Sequence, residues 1–157
     1  MQWIPDLDWQ VVAVHVRDMA YAYILALPIG WDREKSERTA GLRTFPLVAL
    51  AACGYTLVGF EVLSSTDAEA RVIEGIITGM GFIGGGAILK NVVEGKGFVH
   101  GTATAAALWA TGAIGLAVAT KRLEIAVVMS ALTFMTLRVL TTAKDHLIED
   151  EQSQKPQ

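Results

Sequence analysis

Charge is scarce in this 157-residue chain, and the scarcity is uneven. Asp, Glu, Lys and Arg make up 18% of it, against about 25% in typical soluble domains. Cysteine is nearly absent: Cys53 stands alone, which excludes disulfides within the chain and any cysteine-built zinc site. Excess positive charge is missing too. The net charge is −3 and no Lys/Arg cluster is interleaved with aromatics, so no nucleic-acid partner is expected. The three histidines, His15, His100 and His146, are scattered, and neither Gly-x-Ser-x-Gly nor His-Glu-x-x-His occurs. No nucleophile–base pair is therefore in view, and neither catalysis nor a metal or cofactor is expected.

What is present is apolar residue in long runs. The 52% apolar content barely exceeds the soluble average, so the distribution decides the class. Seventeen uncharged residues separate Arg43 from Glu61, fifteen separate Glu74 from Lys90, and twenty-four separate Lys96 from Lys121. At about 1.5 Å rise per residue, roughly 20 residues cross a hydrocarbon core of about 30 Å. The length fits one domain. The pattern predicts an all-α, polytopic transmembrane bundle over residues 1–143, with about five spans at 9–31, 44–60, 70–89, 102–119 and 123–141. Residues 144–157 are expected to form a polar, disordered cytoplasmic tail.

Arg17 and Asp18 interrupt the first span. They lie either in an interfacial turn, the favoured reading, or against other helices. Lys and Arg in alternate loops set the orientation. Arg33, Lys35, Arg38, Arg43, Lys90, Lys96, Lys144 and Lys155 fall on one side, and Arg71, Lys121 and Arg122 on the other. The N-terminus is thus expected outside and the C-terminus in the cytoplasm. The first nine residues hold acids and no base, the reverse of a cleaved leader.

The densest motif runs from Glu74 to Gly86. Gly79-x-Gly81-x-x-Gly84 imitates a dinucleotide fingerprint, but no strand or βαβ unit accompanies it. In a membrane helix Gly75 with Gly79 and Gly81 with Gly85 are small-xxx-small pairs that let backbones approach. The sharper alternative is that Gly84, Gly85 and Gly86 unwind the helix and turn carbonyls toward a cation. Asp67, Arg71 and Glu74, at i, i+4 and i+7, share a face and form a chain of charge pairs, either as a neutralised helix start or as a polar site. In the fourth span, Thr102 and Thr104 suit helix capping, and Gly112 and Gly115 suit tight contact.

These motifs together resemble the MgtC/SapB family of bacterial inner-membrane proteins, over about residues 19–141. Gly30-Trp31-Asp32-Arg33-Glu34 is similar to its Gly-x-Glu-Arg-Glu. Ala40-Gly41-Leu42-Arg43-Thr44 matches Ala-Gly-Leu-Arg-Thr. Asp67 with Arg71, residues 79–86, and Gly101-Thr102-Ala103-Thr104-Ala105-Ala106 with Trp109 complete the likeness. Asp32, Phe45, Glu74, Gly85 and Ala103 depart from it. The resemblance singles out Arg33, Glu34, Gly41, Arg43, Asp67, Arg71, Glu74, Gly79, Gly81, Gly84, Gly86, Thr102, Thr104 and Trp109. It implies a protein of the cytoplasmic membrane linked to magnesium homeostasis and growth in low magnesium, without the ACT-like C-terminal domain of longer members.

The leading expectation is a small regulator that binds membrane helices and modulates ion or proton machinery. Its partners would be membrane lipid, a second copy in a dimer, and a protein such as an ion-transporting ATPase or the ATP synthase. The alternative is a cation transporter or channel built on the glycine-rich third span.

Overall fold

The computed structural model describes residues 7–35, 40–93 and 96–153. Five helices and one hairpin account for them: α1 Trp9–Lys35, α2 Thr44–Val62, α3 Thr66–Gly86, β1 Leu89–Val93, β2 Lys96–His100, α4 Thr102–Ala119 and α5 Leu123–Ser153. Of these, α1, α2, α4 and Leu123–Leu140 of α5 are long and apolar enough to cross a membrane. α3 falls short because Glu69, Arg71 and Glu74 occupy its first half. Its uncharged remainder, residues 75–86, rises about 18 Å, little more than half a bilayer core.

α4 is the central post. Its sequence, TATAAALWATGAIGLAVA, is small or apolar on every side, the mark of a helix enclosed by others. It packs against α1, α2, α3 and α5. Backbones meet where side chains vanish. A Cβ on Gly115 would lie 2.2 Å from the Ala49 carbonyl oxygen of α2, and one on Gly84 of α3 would lie 3.2 Å from the Ala105 carbonyl oxygen. Gly112 receives the Met80 side chain. The core formed this way gathers Ala22, Ile29, Phe45, Ala49, Leu108 and Ile114. α5 is tied to α1 by the Ser130 hydroxyl, which donates to the Leu25 carbonyl at 2.6 Å. That carbonyl is one residue from the Ile24 carbonyl, which Pro28 leaves without its helical donor.

Several expectations change. Residues 84–86 stay helical: α3 ends only after Gly86, and the Ala87 and Ile88 amides donate to the Gly84 and Gly85 carbonyls. The Gly84 and Gly85 carbonyls, which a cation-facing break would present, are thus spent on closing the helix. Leu89 belongs to a strand, and the loop expected at 90–100 is an antiparallel hairpin pairing Leu89 with His100 and Val93 with Lys96. Gly101 opens α4 in the left-handed region at φ 90°, and no side chain caps that helix. Thr102 and Thr104 therefore do not perform the capping expected of them. α5 continues to Ser153, so residues 144–153 of the expected disordered tail are helical, while residues 154–157 lie outside the described residues.

Candidate functional site

Two of the sequence motifs meet at one end of the bundle. Gly30 lets α1 reach the α2 start: a Cβ there would stand 3.1 Å from the Leu42 Cα and 3.3 Å from the Gly41 oxygen. The Glu34 carboxylate then accepts the Leu42 amide at 2.9 Å and fills the space over Gly41, where a Cβ would collide with it. α2 has no acid in its first turn and no side-chain cap of its own. Glu34 supplies an anion to that helix N-terminus, where free N–H groups and the dipole favour it. Beside it, Arg33 bonds Asp32 at 2.5 Å, both nearly sealed from solvent, and Arg138 of α5 approaches the same carboxylate at 3.6 Å. One carboxylate thus joins α1 to α5 as Glu34 joins α1 to α2. Arg38 lies outside the described residues.

A second polar layer lies at the other end, and it is one the motifs did not mark. Asp18 is buried in α1 and takes Arg17 at 2.8 Å and Lys121 from the α4–α5 turn. His15 contacts Glu61 of α2 at 2.6 Å. Asp18 consequently faces another part of the bundle, as in the alternative reading, but it does so at the bundle end where α4 turns into α5, and Arg17 stays half exposed. A signal was available: an ionisable residue inside a span is by default paired and facing protein.

α3 differs from every other described helix. Only Met80 and Gly84 of it are buried. Asp67, Arg71, Glu74, Thr78, Gly81 and Gly85 follow one another at spacings of four and three. They form one exposed stripe along the helix. Among the described residues no ion pair joins Asp67, Arg71 and Glu74, so the expected chain of charge pairs is not formed. A Cβ on Gly75, Gly79, Gly81, Gly85 or Gly86 would meet nothing within 4 Å. Among the described residues the small-xxx-small pairs of α3 thus remain unused, and the close packing expected of them falls to Gly84, Gly112 and Gly115. The structure brings Glu34 and Gly41 together at the α1–α2 end, with Arg33 pairing with Asp32 beside them, while Arg43 lies at the same end with no ion pair or side-chain hydrogen bond to them among the described residues. Thr104 is buried on α4, whereas Thr102 and Trp109 are exposed and join neither group. No group of three or more His, Cys, Asp or Glu that could hold a metal occurs among the described residues.

This order of motifs has counterparts. The family model of the MgtC family matches residues 19–146. The chain belongs to the MgtC family. Its relatives include the SrpB protein of Synechococcus elongatus, 29% identical over 143 residues, covering 85% of this chain and 77% of that protein. The MgtC protein of Brucella abortus is 41% identical over 110 residues, covering 69% and 43% respectively. That of Salmonella typhimurium is 36% identical over 102 residues, covering 65% and 42%. The matched region is thus less than half the length of these MgtC proteins. No solved structure matches the chain. With four helices suited to crossing a bilayer, this MgtC-family chain is a multi-pass membrane protein. Both layers of buried charge and the α3 stripe fall inside the matched region, except for the His15, Arg17 and Asp18 corner of α1.

Proposed function

We propose that the protein is a non-enzymatic regulator in the bacterial cytoplasmic membrane, which docks a helix of a second copy or of a membrane ion or proton machine on α3. The carrying observation is the exposed stripe from Asp67 through Arg71, Glu74 and Thr78 to Gly81 and Gly85. Charges facing lipid are costly. A facing helix would pair them, and the open space over Gly81 and Gly85 would admit its backbone. Family membership supports a role in magnesium homeostasis, with growth in low magnesium as its physiological readout. The cation-transport alternative loses the support of a helix break and keeps that of Asp67 and Glu74 alone.

Cross-linking in native membranes tests the reading. With Cys53 replaced by alanine, single cysteines at Gly81 and Thr78 should give covalent dimers or adducts with another membrane protein, and Gly81→Leu should abolish the adduct formed through position 78. Monomer alone at both positions would overturn it.

A further inference from the structure

On the face of α3 next to the stripe, α2 and α3 splay apart and leave a groove of about 1210 Å³. The two helices meet closely at their connected ends, where a Cβ on Gly59 would lie 3.0 Å from the Val72 side chain. From there the groove opens toward the α2 start. Leu47, Tyr55 and Val58 form one wall, Gly75 and Gly79 the other, and Met80 is part of the floor. Leu47, Tyr55 and Val58 are each more than half exposed. The lining is mostly apolar and holds a single charged residue, Arg43, which stands at the wide end beside Thr44. Among the described residues Arg43 has no carboxylate partner.

We propose that this groove binds one anionic phospholipid, with its phosphate at Arg43 and its acyl chains along Leu47, Gly75 and Gly79. Three features favour this occupant over a protein helix. The groove is a wedge, and a helix about 10 Å across needs parallel walls, whereas acyl chains conform to a taper. Guanidinium is the side chain suited to bidentate contact with phosphate, and it stands where the headgroup layer would lie. Depth allows it as well: from Arg43 to the closure at Gly59 is about 24 Å of α2, more than the half of a core about 30 Å thick that one leaflet's chains fill. Gly79 matters here as absence, since its missing side chain leaves width for a chain. The helix-docking stripe lies on the neighbouring face of α3, with Gly75 and Gly79 about 100° around the helix from Glu74 and Thr78, and the lipid site rests on the groove and not on the stripe.

Native mass spectrometry of the full chain released from nanodiscs tests it, with phosphatidylglycerol and phosphatidylcholine as probes. The wild type should retain one phosphatidylglycerol in preference to phosphatidylcholine. Arg43→Gln should reduce that preference about fivefold, the effect of one interfacial cation. Gly79→Leu, which projects into open space and leaves the fold intact, should lower retention of both lipids; circular dichroism and thermal unfolding verify the fold of each variant. Equal retention of the two lipids by wild type and Arg43→Gln would overturn the proposal. A dimer cross-linked through cysteine at position 79 would also overturn it, by placing a second copy in the groove. Loss of the position-78 adduct in Gly81→Leu with lipid retention unchanged would leave the two sites distinct.

Discussion

Gly115 and Gly79 look alike in the sequence, each a glycine inside an apolar helix, yet their surroundings are opposite. The first has the Ala49 carbonyl oxygen 2.2 Å from where a Cβ would be, with the Ala52 side chain at 3.0 Å; the second has nothing within 4 Å. A backbone oxygen in α2 cannot swing aside as a side chain can, so Gly115→Ala must push two helices apart. Overpacking of this kind costs about 1–3 kcal/mol, and we expect a loss near the upper end. Gly79→Ala, by contrast, should be neutral or stabilising by up to about 1 kcal/mol through helix propensity. Equilibrium unfolding of both variants in detergent checks the contrast, and equal stabilities would contradict the α2–α4 contact. Spacing alone cannot separate the two cases. Small-xxx-small patterns mark where helices could approach, and which neighbour arrives is decided by the rest of the bundle.

At the scale of elements, the turn between α4 and α5 shows how one side chain can serve backbone and charge together. The Arg122 amide donates to the Ala117 carbonyl and the Lys121 amide to the Val118 carbonyl, the bonding pattern of a Schellman cap. The left-handed residue of that cap is commonly glycine, but here it is Lys121 at φ 61°. A non-glycine residue pays about 1–2 kcal/mol for this conformation, and the ion pair of Lys121 with buried Asp18 offsets it. Lys121→Ala should lose the pair and keep the strain, whereas Lys121→Gly loses the pair and relieves the strain. We therefore expect Lys121→Gly to be about 1 kcal/mol more stable than Lys121→Ala. Added to Asp18→Asn, neither should cost as much as it does alone, because the interaction is already gone. Thermal unfolding of the single and double variants measures both effects; strict additivity would mean that Asp18 and Lys121 do not stabilise one another. The helices themselves were legible from charge gaps, since lipid length fixes them. Helix starts and ends were legible to within a few residues except at the end of α5, which runs on past position 141 to Ser153, because lipid thickness limits a span but not a helix that continues beyond it. The pairing of Asp18 with Lys121 was not legible, because residues 103 apart share no local pattern.

Across the whole molecule, two polar layers bracket an apolar middle. Asp18, Lys121, His15 and Glu61 mark one end; Asp32, Arg33, Arg138, Glu34 and the α2 start mark the other. Contacts within each layer, not hydropathy alone, place the α1 start with the α4–α5 turn and the α1 end with the α2 start. The layers differ in charge. Arg33, Lys35 and Arg43 belong to the second, with the hairpin carrying Lys90 and Lys96 following the end of α3 that faces it. Lys and Arg in short loops are retained in the cytoplasm, so the second layer should be the cytoplasmic one, and α5, whose Arg138 reaches Asp32, should end there too. The same charges make Arg43 available to the anionic lipids of the cytoplasmic leaflet. We expect a fluorescent reporter fused after Gln157 to be active in the cytoplasm, and a cysteine placed at Lys121 to react with a membrane-impermeant thiol reagent added from outside, in a background where Cys53 is alanine. A reporter active only in the periplasm would invert the molecule. It would also turn Arg43 toward the outer leaflet, where the lipid preference of the groove would need to be measured against that leaflet's composition.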